Sequence, residues 1–268
     1  MRVAVVQMTS TDDVGANLAA AAKWVAQAAD QGAELVALPE NFAFLRREGD
    51  PVPCRQGLDG DIVGALREWA RTHRVWLVGG TFHEAIPGDE RVANTCVAIA
   101  PSGESVAVYR KIHLIDVDLR AQGGQVYRES DRVVPGDELA SFETPFGIVG
   151  LSVCYDVRFP ELYRQLAERG ARILCVPAAF ARETGRDHWE VLLRARAIEN
   201  QCFVLAPAQC GEHPGGRLTY GRSLIVDPWG LVLARAPDRP GPVLAECLAE
   251  EQDRIRASLP VLRHRRLA

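Results

Sequence analysis

Short, continuous apolar runs recur along the chain and alternate with stretches in which apolar residues return every three or four positions. A continuous apolar run bounded by turn residues predicts a buried strand. Strands of this kind are predicted at 2–8, 34–38, 75–80, 148–153, 173–177, 202–207, 223–227, 232–235 and 243–247. The runs at 92–100 and 104–110 flank Pro101-Ser102-Gly103 and predict a hairpin.

The stretches with a helical spacing predict helices between these strands. Asp12 or Asp13 is placed to cap a helix that runs to Gly32, and Pro160 opens a helix that Gly170 ends. Three more helices are predicted at 62–73, 188–201 and 250–259. The strands therefore fall into two sets that helices separate.

No Gly- or Pro-rich linker separates the two sets of strands, and neither a G-x-G-x-x-G motif nor a P-loop occurs. The order of elements predicts a single α/β domain over 1–268, with two sheets packed against each other and helices outside. Two stretches, 116–137 and 178–187, show neither a continuous apolar run nor a helical spacing of apolar residues, and they are interpreted as loops. The first is long enough to be a functional loop over an active site.

Reactive side chains stand at the ends of predicted strands. Glu40 follows the strand that stops at Pro39, Lys111 ends the second strand of the hairpin, and Cys154 follows the run at 148–153. Ligand sites of open α/β sheets lie at such strand ends. Together the three groups offer a base, a cation and a nucleophile, which are the groups that catalysis of acyl transfer requires.

Each of these positions also has an ordinary structural interpretation. Free cysteines are commonly buried and inert, and a glutamate or lysine after a strand is usually solvated. Cys154, however, is followed within seven residues by Asp156, Arg158 and Glu161, which a plain core position would not need. Glu40 lies among apolar and aromatic residues, a setting that can raise the pKa of a carboxyl group.

Composition narrows the classes of partner. The net charge of −4 argues against nucleic acid or an anionic membrane as the main partner, and no apolar run is long enough to span a bilayer. No signal-peptide pattern opens the chain, so a cytoplasmic location is expected. The seven cysteines are odd in number and scattered, which argues against a disulfide framework and a zinc site. No metal or cofactor is expected.

Three motifs, in this order and spacing, resemble signatures of the nitrilase superfamily of carbon–nitrogen hydrolases: Leu38-Pro39-Glu40-Asn41-Phe42, Tyr109-Arg110-Lys111-Ile112-His113-Leu114 and Cys154-Tyr155-Asp156-Val157-Arg158-Phe159-Pro160-Glu161. The resemblance covers essentially the whole chain. The third motif is similar to the Nit amidase branch, whereas true nitrilases carry a Trp-Glu pair after the cysteine. Further matching segments include Ala208-Gln209-Cys210-Gly211 and Asp227-Pro228-Trp229-Gly230.

The resemblance implies a four-layer αββα sandwich that forms a homodimer or a higher homo-oligomer through helices near the cysteine motif. It also implies a small-molecule amide substrate, hydrolysed to an acid and ammonia through a cysteine thioester. Glu40 would act as the base and Cys154 as the nucleophile. Lys111 and the backbone N–H of Tyr155 would hold the oxyanion. Glu129 matches a second family glutamate that positions the substrate amide or the lysine.

Arg158, Phe180 and Thr184 match positions that line the substrate pocket of the Nit branch. Arg158 is expected either to bind a substrate carboxylate bidentately or to pair with Asp156 or Glu161. The motifs are most similar to those of branch members that act on deaminated glutathione. Two alternatives stay open, an omega-amidase acting on 2-oxoglutaramate and an N-carbamoyl amide hydrolase.

Two rivals come from outside the family. A Cys-His-Glu glutaminase would need the nucleophile on a tight turn of small residues, which Val153 and Tyr155 do not suit, and would draw its histidine from His113 or His188. A binding scaffold without catalysis would not need all three strand-end groups. One fast-reacting cysteine among the seven would separate an enzyme from a scaffold.

Overall fold

The computed structural model describes residues 1–267. Its six α-helices are α1 (Val14–Asp30), α2 (Asp61–His73), α3 (Pro160–Glu168), α4 (Arg182–Asn200), α5 (Ala249–Ser258) and α6 (Val261–His264). Its strands in the first half are β1 (Arg2–Gln7), β2 (Leu35–Ala37), β3 (Trp76–Val78), β4 (Phe82–Ala85), β5 (Val92–Ile99), β6 (Ser105–Arg110), β7 (Asp116–Asp118), β8 (Val126–Arg128) and β9 (Val133–Val134). The second half contributes β10 (Ser141–Thr144), β11 (Gly147–Leu151), β12 (Ala171–Cys175), β13 (Phe203–Ala206), β14 (Cys210–His213), β15 (Arg217–Tyr220), β16 (Leu224–Val226), β17 (Val232–Arg235) and β18 (Gly241–Glu246).

Two large sheets contain most of these strands. The first has the order β18-β1-β2-β3-β5-β4, with β6 and β9 also paired to β5. The second has the order β10-β11-β12-β13-β16-β17. Each sheet has a parallel centre, β1-β2-β3 in one and β11-β12-β13 in the other, so strand ends of like polarity lie side by side.

The two sheets pack face to face, and helices cover their outer faces. Along β1, Val3 and Val5 join the core shared with the second sheet, whereas Ala4 and Val6 pack with buried residues of α1 and α2. This alternation follows from the two-residue period of a strand. On the far side, buried residues of α3 and α4 pack on the second sheet. The prediction of a four-layer αββα sandwich is confirmed.

The helix predictions hold with one displaced start. Asp13 caps α1, because its side chain accepts a hydrogen bond from the backbone N–H of Ala16 at 3.0 Å. Helix α4 begins at Arg182 and not at His188, so the predicted loop at 178–187 is wrong in its second half. The extra turn has little apolar period because its buried residue is Gly185, where a Cβ would lie 2.4 Å from Cβ of Tyr220.

The interpretation of 116–137 as irregular chain is also wrong. The segment contains the antiparallel pair β7 and β8, two short 3₁₀ turns and β9, which pairs with β5. These strands are two or three residues long, too short for a periodic pattern to reveal. A second small hairpin, β14 and β15, was likewise missed.

None of the helices within residues 1–267 has the length and apolar content needed to cross a membrane.

Candidate active site

A cleft opens where strand ends from both sheets meet. Its wall contains all four residues predicted to be catalytic, Glu40, Lys111, Glu129 and Cys154. It also contains the four residues predicted to contact substrate: Tyr155, Arg158, Phe180 and Thr184. Residues that lie up to 144 positions apart along the sequence, from Glu40 to Thr184, are thus brought to one surface by the two-sheet architecture.

The cysteine turn follows directly from β11. Cys154 has a φ of +49°, a left-handed conformation that non-glycine residues seldom adopt, and its N–H donates to the carbonyl of Pro177 at 2.9 Å. The wholly buried carboxylate of Asp156 holds this turn by accepting from the N–H of Val153 at 2.8 Å and the hydroxyl of Tyr109 at 2.6 Å. The strained conformation is therefore maintained by a buried network.

The glutamate turn follows β2 and is shaped by a close backbone approach. Asn41 also has a positive φ, of 55°, and its N–H donates to the hydroxyl of Thr81 at 2.8 Å. A Cβ on Gly80 would lie 2.1 Å from the carbonyl oxygen of Pro39, so only glycine fits there. These contacts fix the backbone that carries Glu40.

Glu40 is anchored at both carboxylate oxygens. Its Oε2 accepts from the N–H of Ala179 at 2.8 Å, and its Oε1 accepts from Nδ2 of Asn94 at 2.9 Å and Nζ of Lys111 at 3.1 Å. Its backbone carbonyl accepts from Nε2 of Gln209 at 3.0 Å, which gives the Ala-Gln-Cys-Gly segment a structural task. Glu40 is only 3% exposed, so these partners replace its hydration.

Glu129 completes the charge cluster around the lysine. Nζ of Lys111 donates to Oε1 and Oε2 of Glu129 at 3.0 and 2.8 Å, and Asn94 also reaches Glu129 Oε1 at 3.3 Å. Glu129 Oε2 accepts in addition from the N–H of Ile115 at 2.8 Å. One buried ammonium group therefore serves two carboxylates, and the cluster carries a net negative charge before Cys154 ionises.

The protonation states of the cluster follow from burial and mutual charge. Burial raises the pKa of Glu40, but the ammonium of Lys111, the Cys154 thiol and the N–H of Ala179 outweigh it, so the pKa is lowered. Burial lowers the pKa of Lys111, but the two carboxylates outweigh it and raise it well above its ordinary value. Burial and the charge of Glu40 raise the pKa of Cys154 well above its ordinary value. The resting cleft therefore holds a carboxylate, an ammonium and a protonated thiol.

This distribution of protons suits acyl transfer. An ionised carboxylate beside a protonated thiol can accept its proton as the sulfur attacks a carbonyl carbon. The backbone N–H of Tyr155, at the start of the cysteine turn, donates to no acceptor within residues 1–267. It is therefore free to donate to a developing oxyanion together with the neighbouring ammonium.

Arg158 belongs to the cleft and not to an internal ion pair. Its guanidinium lies 5.0 Å from the ring centroid of Phe180 and 5.5 Å from that of Tyr155. Within residues 1–267 it makes no salt bridge, and Asp156 is occupied by other donors. Of the two expected roles for Arg158, pairing with Asp156 or Glu161 is wrong.

Several site residues were missed by the sequence analysis. Asn94, which bridges the two glutamates, forms with Thr95 a polar interruption of the otherwise apolar strand β5, and this interruption was the available signal. Asp156 was considered only as a polar neighbour of the thiol and a possible partner of Arg158, although it holds the cysteine turn. Arg46, His83 and Arg217 also line the cleft, and nothing in their sequence neighbourhoods indicated it. His113 and His188, which a glutaminase would use, do not line it.

Within residues 1–267, no group of three or more His, Cys, Asp and Glu side chains is arranged to bind a metal ion.

A four-layer αββα sandwich that gathers a thiol, an ammonium group and two carboxylates in one cleft has the architecture of the nitrilase superfamily. The carbon–nitrogen hydrolase family model matches residues 2–253. The chain belongs to the carbon–nitrogen hydrolase family.

Individual relatives agree with this assignment. The chain is 44% identical over 265 residues to a deaminated glutathione amidase of Synechocystis sp., covering 98% of this chain and 97% of that one. It is 45% identical over 269 residues to the deaminated glutathione amidase of Homo sapiens, covering 98% and 82% of the two chains. The crystal structure of the C. elegans NitFhit protein superimposes with a TM-score of 0.92 at 41% identity, covering 99% of this chain and 65% of that chain.

Proposed function

We propose that this protein is an amidase that cleaves a small amide through a thioester on Cys154, and that its substrate is deaminated glutathione. The observation that carries the reaction type is the convergence of Glu40, Lys111 and Cys154 at one cleft, with the carboxylate ionised and the thiol protonated. The similarity to deaminated glutathione amidases over nearly the whole chain supports the substrate.

In the first half of the reaction, Glu40 takes the thiol proton while the sulfur of Cys154 attacks the amide carbonyl. The developing oxyanion is held by the N–H of Tyr155 and an N–H of Lys111. Each such donor typically contributes about 3 kcal/mol to the transition state. Because two of the lysine's three contacts go to the one carboxylate of Glu129, a single N–H can serve both, which leaves one N–H for the oxyanion.

In the second half, Glu40 gives its proton to the departing nitrogen and the thioester remains. Glu40 then removes a proton from a water molecule, which attacks the thioester carbonyl and regenerates the thiol. Glu129 does not touch the sulfur in this scheme. Its role is to hold the ammonium of Lys111 in place through the contacts at 3.0 and 2.8 Å.

The proposed substrate determines the leaving group. In glutathione, the γ-glutamyl carbonyl is bonded to the cysteine nitrogen, so hydrolysis of the deaminated form releases cysteinylglycine and 2-oxoglutarate. Ammonia, the leaving group that the family resemblance implies, would leave only from a primary carboxamide such as 2-oxoglutaramate. Arg158 is proposed to bind the carboxylate of the 2-oxo acid, because no protein carboxylate occupies it within residues 1–267.

Product analysis separates the proposed substrate from its alternatives. The purified protein is incubated with deaminated glutathione, 2-oxoglutaramate and an N-carbamoyl amide, and cysteinylglycine, ammonia and 2-oxoglutarate are quantified. We expect the highest kcat/KM for deaminated glutathione, with equimolar cysteinylglycine and 2-oxoglutarate. A higher kcat/KM for 2-oxoglutaramate would replace this proposal with an omega-amidase.

Replacement of the nucleophile tests the reaction type. Cys154→Ala is expected to abolish turnover of every amide while the protein stays folded, because the thioester can no longer form. Cys54→Ala is the matched control, since Cys54 is a partly exposed free thiol outside the cleft. Turnover by folded Cys154→Ala at the wild-type rate would contradict covalent catalysis.

We also propose that two copies of the chain associate through α4. Val191 and Ile198 on α4 are 66% and 48% exposed, and Trp229 and Leu231 on the adjoining turn are 55% and 56% exposed. Arg194 Nε donates to the carbonyl of Gly230 at 2.7 Å and thereby joins helix and turn into one surface. Exposed apolar groups in such numbers favour a protein partner. A second copy is the simplest one, because the surface can pair with itself.

Light scattering after size exclusion tests this association. Wild-type protein is expected to elute as a dimer or a larger oligomer, and the double variant Ile198→Glu with Trp229→Glu as a monomer. A wild-type monomer, or an unchanged oligomer in the folded variant, would contradict the proposal.

Two smaller expectations belong to the same proposal. Residues 1–268 are proposed to act as one domain, since β1 and β18 pair with each other although they lie at opposite ends of the chain. Limited proteolysis is expected to release no stable fragment. A cytoplasmic location is supported by all seven cysteines being free thiols, which reducing compartments maintain.

A further inference from the structure

Unpaired polar atoms are concentrated in the cleft. Of nine buried side-chain nitrogen or oxygen atoms without a hydrogen-bond partner among the described residues, five belong to residues of its wall: Asn41 Oδ1, Arg46 Nε, His83 Nδ1, Asn94 Oδ1 and Arg217 Nε. Buried polar groups in folded proteins are nearly always paired, so a cluster of exceptions indicates a missing partner. Three of the five unpaired atoms are nitrogens, and they belong to Arg46, His83 and Arg217.

Arg217 is held in place while part of its guanidinium stays unpaired. It projects from β15, and its side chain is only 14% exposed. Nη2 donates to the carbonyl of Ala179 at 3.3 Å, and the guanidinium lies 5.4 Å from the ring centroid of Tyr127. Its Nε has no partner within residues 1–267. The protein therefore holds the Arg217 guanidinium in a fixed orientation but pairs only part of its hydrogen-bond donors.

Arg46 supplies a second cation near the first. It lies in the segment between β2 and α2, and Nη1 donates to the carbonyl of Arg47 at 2.8 Å. Burial lowers the pKa of Arg46, Glu48 opposes that effect, and the positive charge of Arg217 lowers the pKa further. Two arginines that repel each other in a partly buried cleft gain most from an anion that both can contact.

The surrounding groups leave this region positively charged. Glu48 and Asp50 are acidic neighbours of Arg46, and Arg132 adds a third positive charge. Glu48 Oε2 stays 3.8 Å from Arg217 Nη1, longer than a hydrogen bond. His83 is 8% exposed, and burial together with the charge of Arg46 lowers its pKa to about 4, so it is a neutral donor or acceptor at pH 7. None of these contacts is shared with Arg158, which lies against Tyr155 and Phe180.

We propose that Arg46 and Arg217, with His83 beside them, form a carboxylate-binding subsite for the leaving-group side of the substrate. This inference rests on the proposed function, since it assigns to the pair the terminal carboxylate of the cysteinylglycine portion. A substrate with a carboxylate at each end then spans the cleft from Arg158 to the arginine pair. Substrates that release ammonia have no group for this subsite, so the pair selects peptide-like amides over primary carboxamides.

The test compares deaminated glutathione with its ethylamide analogue, in which the glycine carboxylate is replaced by a methyl group. Removal of a charge-assisted hydrogen bond lowers affinity by about 10- to 100-fold. We therefore expect wild-type kcat/KM to favour the carboxylate over the analogue by about that ratio, mainly through KM. In the double variant Arg46→Gln with Arg217→Gln the ratio is expected to fall to about one. Arg254→Gln, an exposed arginine on α5, should keep the wild-type ratio.

A binding measurement separates failure of this inference from failure of the proposed function. Calorimetry is carried out with both compounds on Cys154→Ala, with and without the two arginine substitutions. Turnover without a preference between the compounds overturns the subsite and leaves the amidase proposal intact. A binding preference that vanishes with the arginines, in the absence of any turnover, overturns the function and supports the subsite. If neither turnover nor binding is observed, both the subsite and the proposed function are overturned.

Discussion

The lysine cluster and the arginine pair lie in one cleft but are built differently. In the lysine cluster, Lys111 is 1% exposed and all of its contacts are short hydrogen bonds to Glu40 and Glu129. In the arginine pair, Arg46 and Arg217 each keep an unpaired buried nitrogen within the described residues. In the first region all three charged side chains are paired with one another, and in the second the charged side chains are paired only in part.

This difference corresponds to two tasks. Groups that stabilise a transition state act best when their orientation is fixed before the substrate arrives, which requires a complete internal network. Groups that recognise a substrate contribute most when the substrate supplies the partner they lack, because an analogue without it leaves them unpaired. We therefore expect substitutions in the lysine cluster to affect both folding and catalysis, and substitutions in the arginine pair to affect substrate preference.

The largest effect is expected for Lys111→Met, which removes the ammonium and keeps the length of the side chain. Two buried carboxylates lose their common partner, so the free energy of unfolding should fall by about 3–5 kcal/mol. The loss of an oxyanion donor should lower kcat by about 10²- to 10³-fold. Chemical denaturation and steady-state kinetics measure the two effects.

Lys23→Met is the matched control, because Lys23 is the chain's other lysine and is exposed on α1. Lys23→Met should leave both the free energy of unfolding and kcat near wild type. The arginine double variant should leave the free energy of unfolding near wild type. Equal destabilisation by Lys111→Met and by the arginine double variant would break the contrast between the two regions.

The next effect concerns the reactivity of the thiols. Cys154 is 6% exposed and Cys54 is more exposed, so accessibility alone would favour Cys54. Burial raises the pKa of both thiols, that of Cys54 to about 11, but Cys154 has beside it the carboxylate of Glu40, which can accept the proton during attack. We expect iodoacetamide to modify Cys154 about 100-fold faster, since general-base assistance typically contributes about that factor.

Peptide mass spectrometry over a time course measures both rates. Glu40→Gln should remove the advantage of Cys154 and leave the rate of Cys54 unchanged. Faster modification of Cys54 in the wild type would support the scaffold interpretation over catalysis.

A smaller effect is expected at the support of the cysteine turn. Asp156→Asn replaces a buried carboxylate that accepts from Val153, Tyr109 and His113 by an amide that presents donors to them. The unfolding free energy should fall by about 1–3 kcal/mol, and kcat should fall by about 10-fold because the nucleophile is less well positioned. Asp118→Asn, at an exposed aspartate on β7, is the control for both measurements. Unchanged kcat in a destabilised Asp156→Asn would limit this carboxylate to a role in stability.

Sequence patterns predicted the parts of the site that strands deliver directly. Glu40 and Cys154 each follow a continuous apolar run, and Lys111 ends a hairpin strand, so strand-end logic and the family motifs located all three. Asp156 was visible, but its task depends on Tyr109, which lies 47 positions away on the other sheet. A buried partner of that kind is defined only when the two sheets pack.

The arginine pair shows more clearly which parts of the site the sequence does not predict. Arg46 lies in a segment without a periodic pattern, and Arg217 lies on a four-residue strand that the patterns did not reveal. With 29 arginines in the chain, nothing local distinguishes these two. Their significance comes from long-range approach and from unpaired atoms, neither of which is a property of the sequence neighbourhood.

The smallest expected effect is a difference between the pH profiles of the Arg217 and Arg46 variants. The charge of Arg217 is among the main causes that lower the pKa of Glu40, and Arg46 is not among these main causes. Since Glu40 must be ionised to act, the acid limb of kcat/KM should lie below 4.5, the ordinary value for a glutamate. Arg217→Gln should raise the pKa of Glu40 and move the limb to higher pH, and Arg46→Gln should leave it in place.

The pH profile is best measured with 2-oxoglutaramate, which has no carboxylate for the subsite, so that binding effects do not obscure the titration. A lowered folded-state pKa stabilises the protein above pH 4.5 and loses that contribution as pH falls through the folded value. Acid unfolding of Arg217→Gln should therefore begin at higher pH than that of Arg46→Gln. If the acid limb of kcat/KM lies at the same pH in both variants, Arg217 acts only on the substrate and there is no electrostatic coupling between the two regions.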